Sequence, residues 1–535
     1  MHSYAVAPNG LEVREERLRE RLEAGQFGPT LQRLAAKKGE GPDDELLRQL
    51  YLGTIAYYAG QYEASQRSLQ RAYELTEDRY TKSATKAALA LLTNDRALPY
   101  VPGQNEQLMV HYYAMQGFLR RGSVSEAAVE ARRLGELLEQ FEERSPTDDD
   151  RSTRAVLHYL SGAVFEAAGE RADAEVSYRN ARALASDSAL PGDPERAPLT
   201  AARSGGAPRG ASAAGLRPAA VPGLPPAVAF GAPGGTARGD TAVGDVVVVI
   251  EQGFVAHRVA QTLSVALASD DMRDFREGDD QRKVSAAAGI SERLLLHLAA
   301  DPGDEPVRDG RLEWRDPDAW GGRWGAGRTL DYLLQVSWPV YRRSYAPPPA
   351  PLIVSCDAAR APLRFRADLN DAITGDYRRD RAKILTRAIA RAATKYALAE
   401  LAEQDAREKK AREEERAASD TSSLKKPRRG GRHRSRGDDG KDQWLKELVN
   451  VAGVALERAD TRSWHLLPAT ISVARLTLPA GRHTVALELA DGAGGAARRV
   501  VLEELEVHPG VISFVTRRLW RDGGLPAAPA ADAQQ

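Results

Sequence analysis

The stretch GDVVVVIEQGF (residues 244–254) decides the fold class of this chain. Its run of β-branched residues is typical of a buried strand. Because it follows a segment that is poor in large apolar residues, it predicts the start of a second, β-rich domain. Further strand patterns follow at 257–266 and 330–341, and Pro339 indicates that the second of these is an edge strand or ends there.

The C-terminal part of the chain repeats the strand pattern. Short Pro/Gly turns separate four such patterns, which predicts a β-meander of a sandwich-like domain. The four segments are ATISVARLTL, HTVALELA, RRVVLEELEV and VISFVTRRL. Ahead of them, an apolar stripe at helical spacing predicts a long amphipathic helix at 378–402.

The segment 403–441, between that helix and the meander, carries mixed charges and predicts a disordered insertion in the 245–535 domain. Its part at 425–436 has seven Lys or Arg and no acid, which superficially resembles a nucleic-acid-binding arm. No aromatic residue is interleaved to stack on bases, and acids follow at once. A solvated insertion is therefore the preferred interpretation, with electrostatic binding to RNA or anionic surfaces as the alternative.

The N-terminal residues 1–190 show helical periodicity almost throughout. Gly53 and the turn glycine Gly60 recur at the same spacing as Gly162 and Gly169, and more loosely around Gly122. Small residues at these positions let paired helices approach closely. The pattern predicts an irregular tetratricopeptide-like solenoid, and a plain helical bundle is the alternative.

Between the two parts, residues 191–244 contain 34 Gly, Pro or Ala among 54 positions. Such a composition buries too little apolar surface to order a chain. We therefore expect a disordered linker and two halves that fold independently. The fold class predicted overall is α+β.

Composition and motifs predict no enzyme chemistry. Lys plus Arg (75) equal Asp plus Glu (75), so no overall field steers the protein to nucleic acid. The chain contains no recognisable metal, nucleotide or hydrolase motif, and its nine histidines are scattered. Cys356, the single cysteine, ends PLIVSC and is expected to be a buried strand residue. We predict no cofactor, no metal and no catalytic residues.

One polar cluster stands just ahead of the meander, in ADTRSWHLLPA (459–469). In an extended chain Asp460, Arg462 and Trp464 project to one face, because side chains alternate with period two. Arg462 can then pair with Asp460 and lie across the Trp464 ring. We interpret these three residues as a structural clasp, with a ligand-facing site as the alternative.

A likeness to a known family is carried by five segments: 91–119, SEAAVEARRL (125–134), 158–181, RAIARAATKY (387–396) and ADTRSWHLLPA (459–469). In these segments the chain resembles a family of uncharacterised Gram-negative envelope lipoproteins, which have a tetratricopeptide-like N-terminal half and a β-containing C-terminal half. The resemblance implies no enzymatic activity and a place at the outer membrane. Family members begin with a lipoprotein signal and an acylated cysteine, which the N-terminus of this chain lacks, so a cytoplasmic location is expected if that N-terminus is correct.

These observations predict a non-enzymatic scaffold of the cell envelope that binds a protein or peptide in a groove of the helical repeats. We expect no nucleic-acid partner. Alternatives are an enzyme or ligand-binding protein of envelope, peptidoglycan-related metabolism, and a nucleic-acid binder using 425–436. The candidate partner-binding residues are Asn94, Asp95, Tyr100, Tyr112, Arg132 and Arg133.

Overall fold

The structure of the protein is a computed structural model. It describes residues 10–36, 44–81, 99–144, 148–185, 190–191, 228–231, 243–268, 330–343, 345, 352–357, 359–421, 459–489 and 498–520. Within these ranges, none of the helices combines the length and the apolar character that crossing a membrane requires.

Eight helices form the N-terminal layer in the described part of the chain. Tight turns join them in pairs, and the turn glycines Gly60, Gly122 and Gly169 have φ of 74°, 77° and 81°, a conformation that favours glycine. The helices are α1 (Gly10–Glu23), α2 (Phe27–Ala35), α3 (Glu45–Tyr58), α4 (Tyr62–Thr81), α5 (Gln104–Arg120), α6 (Val124–Arg144), α7 (Arg151–Ala168) and α8 (Arg171–Leu184).

The paired helices pack closely where the sequence places glycine. A Cβ at Gly53 of α3 would come within 2.8 Å of the Leu69 side chain in α4. A Cβ at Gly162 of α7 would come equally close to the Tyr178 ring in α8. These glycines therefore let the two helices of each pair approach closely, as the sequence predicts.

The rest of the described chain is mostly β-structure, so the predicted α+β class is confirmed. A ninth helix, α9 (Leu369–Thr421), stands between the strands. The strands are β1 (Val228–Gly231), β2 (Val243–Gln252), β3 (His257–Ala268), β4 (Leu330–Arg342), β5 (Ile353–Cys356), β6 (Ala359–Pro362), β7 (Phe365–Asp368), β8 (Thr470–Pro479), β9 (Gly481–Leu489), β10 (Arg498–Val507) and β11 (Val511–Leu519).

The strands form two main sheets and a ribbon. The first sheet has the order β1-β11-β2-β8-β7, in which β11 and β2 are parallel and the other pairs antiparallel. The second has the antiparallel order β10-β9-β5-β6. Strands β3 and β4 form a two-stranded ribbon in which Pro339 pairs with Ala260. Among the described residues β4 pairs with β3 alone, which agrees with the edge position expected for this proline.

Strand β2 is the centre of three layers. Its valines alternate between two hydrophobic cores: Val247 and Val249 pack with the helices, whereas Val246, Val248 and Ile250 pack between the two sheets. Side chains of a strand point alternately to its two faces. An unbroken apolar run was therefore needed because both faces of β2 are covered.

The two parts of the chain do not have separate cores, contrary to the expected independent folding. Leu46 and Leu50 of α3 belong to the same buried cluster as Val247 of β2, Leu467 and Phe514. The prediction failed because helical periodicity shows that one face of a helix is apolar but not what covers it.

Two predicted boundaries are also corrected. Residues 228–231, inside the expected linker, form β1, which pairs with β11, and β2 begins at Val243. The predicted helix at 378–402 runs from Leu369 to Thr421, so 403–421 are helical rather than disordered. Pairs such as Glu408 and Arg412, 3.6 Å apart, stabilise an exposed helix of mixed charge. Residues 422–441, and with them 425–436, lie outside the described residues.

The four C-terminal strands exist, but they do not form one meander. Strand β8 lies in the first sheet, β9 and β10 form a hairpin in the second, and β11 returns to the first sheet. There β2 lies between β11 and β8. A short turn has the same sequence signature whether the chain stays in a sheet or crosses to the next one, and this ambiguity is why the meander prediction was wrong.

Candidate functional site

The inner side of the helical layer is covered by residues 459–469, here called the inner segment. Its central residue Trp464 is 1% exposed. The Trp464 backbone N–H donates to Glu106 Oε1 of α5 at 2.9 Å, and the indole N–H donates to Thr54 Oγ1 of α3 at 3.0 Å. The helices therefore hold this residue through both its main chain and its side chain.

The neighbours of Trp464 are held in the same way. The Tyr51 hydroxyl of α3 contacts the Ser463 carbonyl at 3.0 Å and His465 Nδ1 at 2.5 Å. Burial, followed by the nearby Arg19, lowers the pKa of His465 well below its ordinary value, so the imidazole is neutral. The inner segment is therefore bonded to both α3 and α5.

The predicted ion pair of the clasp is present at the start of the inner segment. Arg462 Nε lies 2.7 Å from Asp460 Oδ1, and its terminal nitrogen lies 2.8 Å from Oδ2. Arg462 also lies 3.5 Å from the Asp44 carboxylate, which caps α3. Burial opposes the charge, but Asp460 raises the pKa of Arg462 above its ordinary value. The clasp therefore joins the inner segment to the helices, and the stacking of Arg462 on Trp464 stays a prediction.

A second polar contact joins the helices to β2. The carboxylate of Glu251, at 0% exposure, accepts hydrogen bonds from the hydroxyls of Tyr58 at 2.6 Å and Tyr112 at 2.7 Å. Burial raises the pKa of Glu251, and the nearby Arg518 guanidinium opposes that rise. Burial also raises the pKa of both tyrosines, which keeps them protonated as donors.

Arg518 of β11 lies at the centre of this contact. Its guanidinium lies over the rings of Tyr58, Phe254 and Trp520, at 5.1, 4.9 and 4.2 Å from their centroids. It also donates to the Leu466 carbonyl of the inner segment at 2.7 Å. Arginine suits this place because its planar fork can stack and donate at the same time. The Arg518 guanidinium therefore links α3, the first sheet and the inner segment.

Glu251 and Arg518 were missed at the sequence level, although a signal was present. Both are charged residues inside apolar strand patterns, GDVVVVIEQGF and VISFVTRRL. A charge in a strand that is buried on both faces requires a partner. The sequence could therefore have predicted that they are paired, but not with which residues.

The predicted partner-binding tyrosines do not lie on an open surface. Tyr100 and Tyr112 are 1% and 0% exposed, and the Tyr100 hydroxyl donates to Glu106 at 2.6 Å. Their prediction as groove-lining residues is wrong because other parts of the chain cover both side chains, Tyr112 on α5 and Tyr100 just before it. Asn94 and Asp95 lie outside the described residues.

The predicted arginines, in contrast, lie on the outer side of the helical layer. Their side chains are 46% and 42% exposed, and Arg132 pairs with Glu170 and lies 4.0 Å from Asp173 of α8. Val129 on α6 and Val176 on α8 are 43% and 46% exposed. We call the five residues Val129, Arg132, Arg133, Asp173 and Val176 the outer patch. It combines exposed apolar groups with charges of both signs.

One group in the described residues has the composition of a metal site. Its members are Cys356 at the end of β5, Asp357 after it and His483 on β9, and their ligand atoms all lie within 4.8 Å of one another. Cys356 is buried, as predicted, and burial, then Asp357, raises the pKa of the thiol to about 11. It is therefore not activated as a nucleophile. No sequence motif could reveal this group, because His483 is 126 positions from Asp357 in the chain.

Comparison of the chain with protein-family models, with curated proteins and with solved structures finds no match. The resemblance to envelope lipoproteins therefore stays a prediction, and the argument for function depends on the contacts described above.

Proposed function

We propose that the protein is a non-enzymatic scaffold of the bacterial cell envelope that binds a protein partner on the outer side of its helical layer. The observation that carries this proposal is the position of the inner segment. Residues 459–469 lie against α3 and α5, with Trp464 bonded to Thr54 and Glu106, and so cover the side of these helices that would otherwise be open to a peptide. The partner surface is then on the opposite side.

We further infer that the pairs α3–α4, α5–α6 and α7–α8 are tetratricopeptide-like repeats. The glycine turns between the paired helices support this inference, as do the close approaches at Gly53 and Gly162. In such repeats the second helix of each pair faces outward. This arrangement agrees with the exposure of Val129 on α6 and Val176 on α8.

The outer patch has the chemistry of a weak or regulated protein interface. Val129, Arg132 and Arg133 are spaced i, i+3 and i+4 and share one face of α6. Arg132 stacks over the Phe165 ring at 5.6 Å and contacts Glu170, which pre-orients its side chain. Arginine beside exposed apolar residues is enriched at protein interfaces.

Site-specific photo-crosslinking tests this proposal in cells that express the full chain. A photo-reactive phenylalanine analogue replaces Val129 or Val176, and the control replaces Val501 of β10, which is also exposed, at 41%. We expect protein adducts of one defined mass at both helical positions and none at Val501. Absence of adducts at the helical positions, or the same adducts at Val501, would overturn the proposal.

A further inference from the structure

The Cys356, Asp357 and His483 group lies at one end of the space between the two sheets. Cys356 faces Val485 in the β5–β9 pairing, and both residues belong to the core between the sheets. His483 is two residues before Val485 on the same face of β9. Its side chain is 10% exposed, whereas that of Asp357 is 61% exposed. The group therefore has a buried sulfur, a largely covered imidazole and a solvent-facing carboxylate.

The hydrogen bonds of His483 show which ring nitrogen can bind an ion. Nε2 lies 2.7 Å from the carbonyl oxygen of Pro479, and a carbonyl can only accept, so Nε2 carries a hydrogen. In a neutral ring, Nδ1 then holds a lone pair. That lone pair points at Asp357 Oδ2, which is only 2.6 Å away.

Two acceptors at this distance repel unless a positive charge lies between them. The charge is either a proton, which makes an imidazolium–carboxylate pair, or a metal ion bound by both atoms. A ligating histidine commonly donates its other N–H to a backbone carbonyl, because this bond fixes the ring and the tautomer. The Pro479 carbonyl supplies such a bond here. The third group, the Cys356 sulfur, adds nothing to an imidazolium pair but is a strong ligand for a soft or borderline ion.

We propose that Cys356 Sγ, Asp357 and His483 Nδ1 bind a Zn²⁺ ion. Sulfur, nitrogen and oxygen donors together suit zinc, which accepts all three and favours tetrahedral geometry. The three protein ligands leave the fourth position for water at the solvent-facing side, where Asp357 is exposed. The ion would join the end of β5 to the first residues of β9 and so hold one end of the second sheet.

Binding requires a small local movement and releases protons. Tetrahedral zinc holds N and O ligands about 3.4 Å apart, so the Asp357 carboxylate must move about 0.8 Å from the imidazole. Its exposure makes this movement possible. The thiol proton of Cys356, and the proton between His483 and Asp357, pass to solvent as the metal–ligand bonds form.

Titration of the purified, metal-free full chain with Co²⁺ tests the proposal, because Co²⁺ takes zinc sites and reports its ligands by absorption. We expect visible d–d bands and a near-ultraviolet thiolate-to-cobalt charge-transfer band that saturate at about one ion per chain and disappear when Zn²⁺ is added. Zn²⁺ should also raise the melting temperature by mass action.

Matched variants assign the signal to this group. Cys356→Ser should abolish the charge-transfer band, and His483→Gln and Asp357→Asn should each weaken Co²⁺ binding by at least about tenfold. The control is His508→Gln, because His508 is exposed and is not a member of the group; it should bind Co²⁺ as the unchanged chain does. Asp357→Asn alters a largely exposed side chain, so it remains informative if Cys356→Ser or His483→Gln misfolds.

Two results would overturn the proposal. Absence of a charge-transfer band in the unchanged chain would show that His483 and Asp357 form an ion pair only. A band that persists in Cys356→Ser, or Co²⁺ binding that is unaffected by His483→Gln and Asp357→Asn, would place the metal elsewhere in the chain.

Discussion

The indole N–H of Trp464 donates to Thr54 Oγ1 at 3.0 Å, across 410 positions of the chain. Both groups are buried, at 1% exposure each. The bond joins the inner segment to α3, so the stability of the strands cannot be separated from that of the helices. The clasp is best tested in the full chain, because residues 245–535 alone lack Thr54, to which Trp464 is bonded.

We expect Trp464→Ala to lower the free energy of unfolding of the full chain by about 3–5 kcal/mol, the usual cost of removing a large buried aromatic side chain. Trp464→Phe keeps most of the ring but loses the donor to Thr54, and should cost about 1–2 kcal/mol. Urea unfolding followed by circular dichroism measures both changes. If Trp464→Ala unfolded as the unchanged chain does, the clasp would not be structural, and its ligand-facing alternative would be favoured.

The close packing at Gly162 predicts a difference between two helical glycines. A Cβ at 162 would lie 2.8 Å from ring atoms of Tyr178, whereas a Cβ at Gly135 of α6 would meet nothing within 4 Å. Gly162→Ala should therefore destabilise the protein by roughly 1–3 kcal/mol. Gly135→Ala, the control, should be neutral or stabilise it by up to about 1 kcal/mol through helix propensity.

Thermal unfolding of the two alanine variants, measured side by side, checks this prediction. Equal melting temperatures would show that α7 and α8 can separate without cost, and would remove one support for the repeat-like packing.

Asp376 of α9 predicts a pH dependence of stability. Its carboxylate accepts from the Asn105 backbone N–H at 3.0 Å, at the start of α5, and burial raises its pKa from 3.8 to about 6. Between these values the folded protein holds the proton more tightly than the unfolded chain does. The resulting stabilisation is present at low pH and is lost as pH rises through about 6.

Asp376→Asn removes this titration. Between pH 4 and 7 the unchanged chain should lose about 2.4 kcal/mol of stability relative to the variant. The control, Asp380→Asn, changes an exposed carboxylate that pairs with Lys383 on the same helix and should follow the unchanged chain. Urea unfolding at steps across this range measures the slopes, and parallel slopes for Asp376→Asn and the unchanged chain would contradict the assignment.

Arg518→Lys should show that charge alone does not hold the three layers together. Lysine keeps the charge near Glu251 but loses the planar group that lies over the Trp520 ring at 4.2 Å. We expect a loss of roughly 2–4 kcal/mol in the free energy of unfolding. Arg343→Lys is the control because Arg343, 39% exposed, pairs with Asp371 at the surface, and it should change stability by no more than about 0.5 kcal/mol. A cost below about 1 kcal/mol for Arg518→Lys would show that the stacking contributes little.

Local sequence patterns were sufficient to predict those elements that depend on interactions between near neighbours in the chain. The valine run at 244–254 predicted a buried strand because β-branched residues on both faces can be satisfied only when both faces are covered. The turn glycines predicted the helical pairs because few other residues adopt a left-handed backbone. The pairing of Asp460 with Arg462 followed from period two alone.

Long-range pairing was decided only in three dimensions. The spacing of the C-terminal strands did not predict that β2 lies between β8 and β11. Backbone hydrogen bonds do not depend on which strand is the neighbour, so they carry no information about strand order. The hydrogen bond from Tyr112 to Glu251 could not be predicted either, because the two residues are 139 positions apart and meet only when the helices pack on the sheet.

The sequence by itself determined the α+β class, the strand and helix patterns, and the burial of residues such as Val248, because hydrophobic periodicity and backbone preference act between near neighbours. Only the tertiary structure decided that the inner segment lies against α3 and α5, and that Cys356 lies beside His483. Such contacts depend on which of several equally apolar faces the folded chain brings together.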